Sequence, residues 1–177
     1  LGNRNWGWSD VLPLYKKSED YQHGADEFHG VGGELRVEER RVNWEILDSW
    51  RDAAEECGIK KINEFNRGDN LGNSYFQMNQ RKGSRWSATK AYLRPIVTRK
   101  NLTVLTHAHV KKIKINISGS TKIATGVIAS IKKGPTKLFS AKYEVILCAG
   151  SIGSPQILQL SGVADKSLLD KVGIQLI

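Results

Sequence analysis

The sequence predicts an α/β fold whose first half has α+β character. Up to about residue 100, apolar residues recur at helical steps between glycine-rich loops. After that point they alternate as in strands, and a continuous apolar run then leads into a helix. The composition agrees with a packed chain, because 40% of the 177 residues are hydrophobic and 25% are charged. No apolar run approaches the roughly 20 residues that a membrane-spanning helix needs.

Two helices are predicted in the first half. Ser9 is a typical N-cap residue and predicts a helix over 10–20. Asn43 is predicted to cap a second helix, and Gly58 is a typical residue at a helix C-terminus. The apolar face of this second helix is predicted to consist of Ile46, Leu47, Trp50, Ala54 and Cys57.

The segments between these helices are predicted to be irregular. Glycine and asparagine are frequent in residues 21–42 and 63–85, and both residue types interrupt regular structure. Ser87 is predicted to cap one more helix, with Pro95 near its end.

Strands are predicted after residue 100. Apolar residues occur at strand spacing in 110–117, 123–131 and 137–140. The run from Tyr143 to Ala149, which includes Cys148, is typical of a strand that is buried on both faces.

A strand–turn–helix unit is the strongest candidate for a ligand site. Gly150 and Gly153 form the turn, Ser154 is predicted to cap a helix through Leu160, and a short helix is predicted over 166–172. A helix start offers unpaired N–H groups and partial positive charge, so a phosphate can bind there. The same residues also suit an ordinary strand-to-helix connection, which is the interpretation that spacing alone favours.

The net charge of +9 allows a second function class, the binding of polyanions. Lysines are concentrated in the predicted strands: Lys111, Lys112, Lys114, Lys122, Lys132, Lys133 and Lys137. Because they alternate with Ile113 and Ile115, we interpret them as the solvated face of a sheet rather than a nucleic-acid site. His107 and His109 have no third ligand in view, so no metal site is predicted.

Five segments resemble conserved blocks of the glucose–methanol–choline (GMC) family of FAD-dependent oxidoreductases, and they occur in the family's order. Residues 145–162 resemble its second signature, in which Gly, Ser/Thr-Pro and Ser-Gly follow at this spacing. The other four segments are Asn5–Glu19, Phe28–Gly33, Arg85–Pro95 and Arg99–Thr106. One departure is Val163–Ala164, where the family usually has an aliphatic residue and Gly.

The resemblance implies a partial FAD-binding fold of GMC type with part of the substrate, or cap, domain. Residues 1–84 then correspond to the cap side and residues 85–177 to the FAD-binding domain. The implied cofactor is FAD and the implied substrate a small alcohol or sugar, oxidised at a CH–OH group. The implied cofactor-binding residues are Val110, Ala149, Gly150 and Ser154.

Two features of the family have no counterpart in this sequence. The family binds the pyrophosphate with an N-terminal strand–GxGxxG–helix. The closest match, Gly30–Gly33, is followed by residues 34–37, which read as a strand or loop. None of the four histidines matches the family's C-terminal catalytic His, so no catalytic residue is assigned and we expect this piece alone to be inactive.

The ends and the sequons lead to further expectations. Residues 1–8 contain no initiator Met and no leader, so we expect an internal fragment of a longer enzyme. A truncated, inactive family member that acts as a binding protein is the alternative, and a nucleic-acid-binding module is a third. Two glycosylation sequons begin at Asn101 and Asn116 and weakly indicate a secreted parent. No feature of the sequence indicates an oligomeric state.

Overall fold

The structure is a computed structural model that describes residue 2 and residues 4–177. Leu1 and Asn3, part of the N-terminal segment considered above, lie outside the described residues. The chain forms two compact units that divide between Leu102 and Thr103. The predicted boundary between residues 84 and 85 concerns functional segments of the family and stays a prediction. No helix in the described part of the chain is both long and apolar enough to cross a bilayer.

The first unit combines two helices with two small sheets. Its elements are α1 (Trp8–Ser18), β1 (Glu19–Tyr21), β2 (Leu35–Val37), α2 (Glu45–Glu56), β3 (Gln80–Arg81) and β4 (Ser84–Arg85). Strands β1 and β2 are parallel, with Glu19 opposite Leu35 and Tyr21 opposite Val37. Strands β3 and β4 form a short antiparallel hairpin. The segments predicted to be irregular therefore contain only short strands, and β2 replaces the phosphate-facing helix that a GxGxxG motif would require.

The helix starts differ from the predicted caps. α1 begins after Gly7, whose N–H donates to the Asp10 carboxylate at 3.0 Å, so Ser9 lies inside the helix. α2 begins after Trp44 rather than after Asn43. Gly58 follows α2 with φ +87°, a left-handed conformation that suits glycine at this end of a helix.

The predicted apolar face of α2 is mostly exposed. Ala54 is its only buried residue, whereas the Trp50 side chain is 66% exposed. After Ser87, the predicted helix is a π-helical turn, Thr89–Leu93, followed by a 3₁₀ turn, Arg94–Ile96. Amphipathic spacing therefore predicted α2 correctly, but it did not establish what covers its apolar face.

The second unit is a three-stranded antiparallel meander with two helices. Its elements are β5 (Ala108–Ser118), β6 (Thr121–Ile131), β7 (Thr136–Ser140), α3 (Gly150–Leu160) and α4 (Lys166–Lys171). The strand order is β5-β6-β7, so the three predicted strands are confirmed. The short helix predicted over 166–172 is confirmed as α4, which Asp165 caps by accepting from the N–H of Ser167.

The prediction for residues 143–149 is wrong for this chain. The segment forms no strand, Tyr143 is 87% exposed and Ile146 is 74% exposed. Cys148 is also exposed rather than buried in a sheet. A central strand needs neighbouring strands that pair with it, and the described residues place none beside this segment.

Candidate functional site

The turn that precedes α3 carries three of the predicted cofactor-binding residues. Gly150 has φ +84°, a conformation that residues with a Cβ adopt only with strain. Nothing lies within 4 Å of the position that a Cβ would take there, so the backbone conformation, not crowding, calls for glycine. Ala149 and Gly150 are both exposed, and their backbone is therefore open to a ligand.

Ser154 braces this turn instead of capping the helix. α3 begins at Gly150, so Ser154 lies inside it, and its hydroxyl accepts a hydrogen bond from the Ala149 N–H at 3.0 Å. A Cβ on Gly153 would lie 3.2 Å from the Ala149 Cβ, so a small residue is needed where the turn folds back. The serine and this glycine therefore hold the turn in one shape.

The start of α3 fits an anionic group electrostatically. The first turn of a helix exposes N–H groups that carry partial positive charge. The first turn of α3 contains no acidic residue that would compete for them. Because Gly150 is open to solvent and this turn contains no acidic residue, a phosphate can approach the backbone here.

Val110, the fourth predicted cofactor-binding residue, lies near the beginning of β5. It is half-buried and pairs with Ala129 of β6, and the strand register shifts between Val110 and Lys112. Such a bulge redirects the backbone, which is common beside binding sites. The bulge therefore lies at a position that the family resemblance assigns to cofactor binding.

A basic groove of about 910 Å³ lies beside Val110 but does not include it. Its lining residues are His107, Ala108, His109, Lys111, Ser130, Lys132, Lys133, Gly134 and Thr136. His107, Lys132 and Lys133 all have positive φ, and the Lys132 N–H donates to the His107 carbonyl at 3.0 Å. Tight turns thus bring positive charge to this end of the sheet.

The two parts of the predicted site lie on elements that pack together. α3 contacts β5, and the Ser161 hydroxyl, directly after α3, accepts a hydrogen bond from the N–H of Ile113 in β5. The basic groove includes neither Val110 nor the Ala149–Gly150 turn. The assignments of Val110, Ala149, Gly150 and Ser154 to cofactor binding therefore stay predictions.

The sequence analysis assigned no role to His29 and missed a buried charged cluster in the first unit. The His29 ring lies between two carboxylates, with Nδ1 at 3.0 Å from Glu19 Oε2 and Nε2 at 2.8 Å from Glu64 Oε1. The Tyr21 ring stacks on it with 3.9 Å between centroids, and Arg67 Nε lies 2.8 Å from Glu64 Oε1. His29, Glu64 and Tyr21 are all buried.

This geometry favours the protonated form of His29. Burial acts to lower the pKa of His29, but hydrogen bonds to Glu64 and Glu19 and their negative charges outweigh it, so the pKa is raised above its ordinary value. Burial likewise acts to raise the pKa of Glu64, but hydrogen bonds from Tyr21 and His29 lower it overall. No spacing signal could have found this cluster, because its members are far apart in sequence.

Metal binding has no support among the histidines that the structure describes. Within residue 2 and residues 4–177, no group of three or more His, Cys, Asp or Glu side chains gathers in a way that could hold an ion. His107 and His109 line the basic groove with lysines, which do not act as metal ligands while charged.

Comparison with known proteins identifies the family. A family model described as GMC oxidoreductase matches residues 1–177, the whole of the chain. The chain belongs to the GMC oxidoreductase family.

Curated GMC relatives align along nearly all of this chain. A protein named glucose dehydrogenase [FAD, quinone] from Drosophila melanogaster is 37% identical, over 98% of the chain and 28% of the relative. Human mitochondrial choline dehydrogenase is 30% identical, over 99% of the chain and 29% of the relative. The chain thus spans less than a third of the length of these relatives.

Solved GMC-type structures have the same fold. Pyridoxine 4-oxidase from Mesorbium loti superposes with a TM-score of 0.86 at 30% identity, over 99% of this chain and 34% of that one. An FAD-dependent oxidoreductase from Chaetomium thermophilum superposes with a TM-score of 0.85 at 26% identity, over 99% of this chain and 32% of that one. The predicted mixed α/β fold of GMC type is therefore confirmed.

Ala164 departs from the GMC signature without straining the backbone. Gly162 has φ +85°, whereas Ala164 is not among the described residues with positive φ. Alanine therefore fits at 164 without left-handed strain.

Proposed function

We propose that this chain is part of an FAD-dependent oxidoreductase that oxidises a CH–OH group of a small alcohol or sugar. The match along the whole chain to GMC oxidoreductases carries the proposal. The names of two relatives, a glucose dehydrogenase and a choline dehydrogenase, support a hydroxylated small molecule as substrate. A third relative, from Pseudomonas putida, is named alcohol dehydrogenase [acceptor] and is 32% identical.

The second unit would contribute to holding FAD. The exposed Gly150 turn and the first N–H groups of α3 would bind an anionic part of the dinucleotide. The Val110 backbone would contact a polar edge of the same cofactor. FAD supplies the acceptor for the hydride that leaves the substrate carbon. These residues would position the cofactor, and this role depends on the shape of their backbone more than on particular side chains.

His29 is not the catalytic base in this proposal. Both of its ring nitrogens are engaged by carboxylates, and the ring is buried, so neither nitrogen can take a proton from a substrate. The base would come from a part of the full-length protein outside these residues. We therefore assign no catalytic residue in this chain.

The extended segment 143–149 would be a buried strand in the full-length protein. Its alternating half-buried and exposed residues include Ile146, 74% exposed here, which another part of the protein would cover. Pairing on both sides would also bring the Gly150 turn to the end of a strand, where ligands bind in open α/β sheets.

The visible absorption spectrum of the purified full-length protein tests the proposal. We expect flavin bands as purified and their bleaching under anaerobic conditions by a substrate alcohol or sugar. A full-length protein that folds cooperatively and never retains added FAD would contradict the enzyme proposal and favour the inactive binding protein. A parent sequence without GxGxxG and without a C-terminal His segment would do the same.

Nucleic-acid binding remains the last of the three candidates. Lys112 and Lys114 are exposed while Ile113 between them is buried, which supports a solvated strand face. A salt-sensitive gel shift at submicromolar protein would overturn this ranking.

Secretion of the parent is also a proposal. Asn116 is exposed on β5, close to the Gly119–Ser120 turn of the hairpin, so a glycan attached there would extend into solvent.

A further inference from the structure

Ser161 makes a buried link between α3 and β5. Its side chain is 4% exposed, and its Oγ accepts a hydrogen bond from the Ile113 N–H at 2.8 Å. The same hydroxyl donates to the Ile157 carbonyl at 2.5 Å, so both its donor and one acceptor position are used. The bond spans 48 residues of sequence, and it connects the helix C-terminus to the sheet.

The hydrogen bond between Ile113 and Ser161 lies at an unpaired edge of the sheet. Within the described residues, β5 pairs with β6 on one side and has no strand on the other. Ile113 is buried, and a buried N–H without an acceptor is costly. The Ser161 hydroxyl supplies the acceptor that another strand would otherwise supply.

The backbone around Ser161 allows little adjustment. α3 ends in a Schellman motif, in which the Gly162 N–H donates to the Gln159 carbonyl at 2.9 Å and the Val163 N–H to the Leu158 carbonyl at 2.9 Å. A Cβ on Gly162 would lie 2.5 Å from the Gln175 carbonyl oxygen, so the chain passes closely on that side. The hydroxyl is therefore held in place by the helix end as well as by its own hydrogen bonds.

Ser161 lies at the far end of α3 from the predicted cofactor turn. α3 has 11 residues from Gly150 to Leu160, which corresponds to about 16 Å at the usual rise per residue. A small change of angle at the Ser161 end therefore moves the Ala149–Gly150 turn by more than it moves the C-terminus. At the sheet end, Ile113 is three residues beyond Val110 on the same strand.

We propose that Ser161 is a positioning residue for the flavin dinucleotide: its hydroxyl sets the placement of α3 on β5 and so fixes the Ala149–Gly150 turn relative to the Val110 backbone. This inference rests on the proposed function, because it assumes that both places contact FAD. Ser161 itself does not need to touch the cofactor.

The test uses the full-length protein with Ser161→Ala, Ser161→Thr and a control, Ser120→Ala. Thr keeps a hydroxyl at the same position, and Ser120 is exposed in the hairpin turn of the same unit. Ser161→Cys replaces Ser161→Ala if the latter does not fold, since a thiol is similar in size and a weak acceptor. FAD affinity is measured by flavin fluorescence at a temperature where every variant is folded.

We expect Ser161→Ala to weaken FAD binding by about tenfold, because the displaced Ala149–Gly150 turn would lose about one ordinary hydrogen bond to the cofactor. We also expect a changed visible circular dichroism of the bound flavin at saturation, which a loss of global stability alone would not produce. Ser161→Thr should restore both properties, and Ser120→Ala should match the wild type. Wild-type affinity and an unchanged flavin spectrum in Ser161→Ala would overturn the inference.

Amide hydrogen exchange in the apoprotein separates this inference from the proposed function. The Ile113 amide should exchange slowly in the wild type and Ser120→Ala, and much faster in Ser161→Ala. Equal exchange would overturn the link itself, whether or not the protein binds FAD. A wild-type protein that shows the protected Ile113 amide but never binds FAD would overturn both the proposed function and the positioning role.

Discussion

The Tyr21 hydroxyl donates a hydrogen bond to Glu64 Oε2 at 2.6 Å, between two buried side chains that are 43 residues apart in sequence. Glu64 is also hydrogen-bonded to His29 and Gln77 and forms an ion pair with Arg67. This one carboxylate thus connects strand β1 to two loops of the first unit. A buried carboxylate with several donors is stable as an anion, which agrees with the lowered pKa of Glu64.

Tyr21→Phe should lower the free energy of unfolding by about 1–3 kcal/mol, because the buried carboxylate loses a donor. Urea unfolding of the full-length protein measures the change. Tyr15→Phe is the matched control, since Tyr15 lies on α1 of the same unit and is 70% exposed. The control should change stability by less than about 0.5 kcal/mol. Equal effects of the two substitutions would contradict the role of the buried hydrogen bond.

His29→Gln should remove a pH dependence of stability. The folded-state pKa of His29 is raised above its ordinary value of 6.5. The protonated ring therefore contributes its full stabilisation below about pH 6.5, and this contribution is lost as pH rises through the folded-state pKa. At pH 6, His29→Gln should cost about 3–5 kcal/mol, the typical effect of breaking a buried charge pair.

The readout for His29 is the difference in unfolding free energy between wild type and variant at several pH values. It should be largest at pH 6 and decrease toward pH 9. His23→Gln serves as the control, because His23 is more exposed and lies 3.4 Å from a single carboxylate, that of Glu39. A difference that is constant with pH would show that folding does not shift the pKa of His29, and one that increases with pH would show that folding lowers it.

Gly162 and Gly173 form a matched pair that separates backbone strain from crowding. Both follow a helix in a Schellman motif, with φ +85° and +69°. A Cβ on Gly162 would lie 2.5 Å from the Gln175 carbonyl oxygen, whereas a Cβ on Gly173 would have nothing within 4 Å.

Gly173→Ala should therefore cost about 1 kcal/mol, the price of a left-handed alanine. Gly162→Ala should cost about 2–4 kcal/mol, because it adds crowding against backbone to the same strain. Chemical unfolding of the two variants provides the comparison. If Gly162→Ala were the milder substitution, the close approach of the chain near Gln175 would be excluded.

Asn116 should carry a glycan if the full-length protein passes through the secretory pathway. Treatment with an N-glycosidase should reduce the mass of the wild type by one glycan more than it reduces the mass of Asn116→Gln. The expectation follows from the exposed position of Asn116 near a hairpin turn. A secreted wild type of unmodified mass would contradict it.

Local sequence predicted element types better than element ends. Apolar spacing predicted α2 and the strands of the meander, and helices were also predicted correctly at the positions of α1 and α4. The helix caps were not predicted correctly, because Ser9, Asn43 and Ser154 are each typical cap residues that do not cap these helices. Ser154 instead bonds back to the Ala149 N–H from inside α3, a choice that depends on the three-dimensional path of the turn.

Burial was the least predictable property. The run 143–149 was expected to be a covered strand, and it is exposed here because a strand of this kind depends on partners that its own sequence does not encode. Trp50 likewise lies on an apolar face that no described residue covers fully.

By itself, the sequence determined the family, the helices α1 to α4 and the three strands of the β5-β6-β7 meander, because these depend on short motifs and local backbone preference. Only the tertiary structure decided that His29 lies between the carboxylates of Glu19 and Glu64, which raises its pKa, and that Ser161 links α3 to Ile113. The physical reason is that a charge state and a buried hydrogen bond are set by groups that meet in space across 10 to 48 residues of sequence.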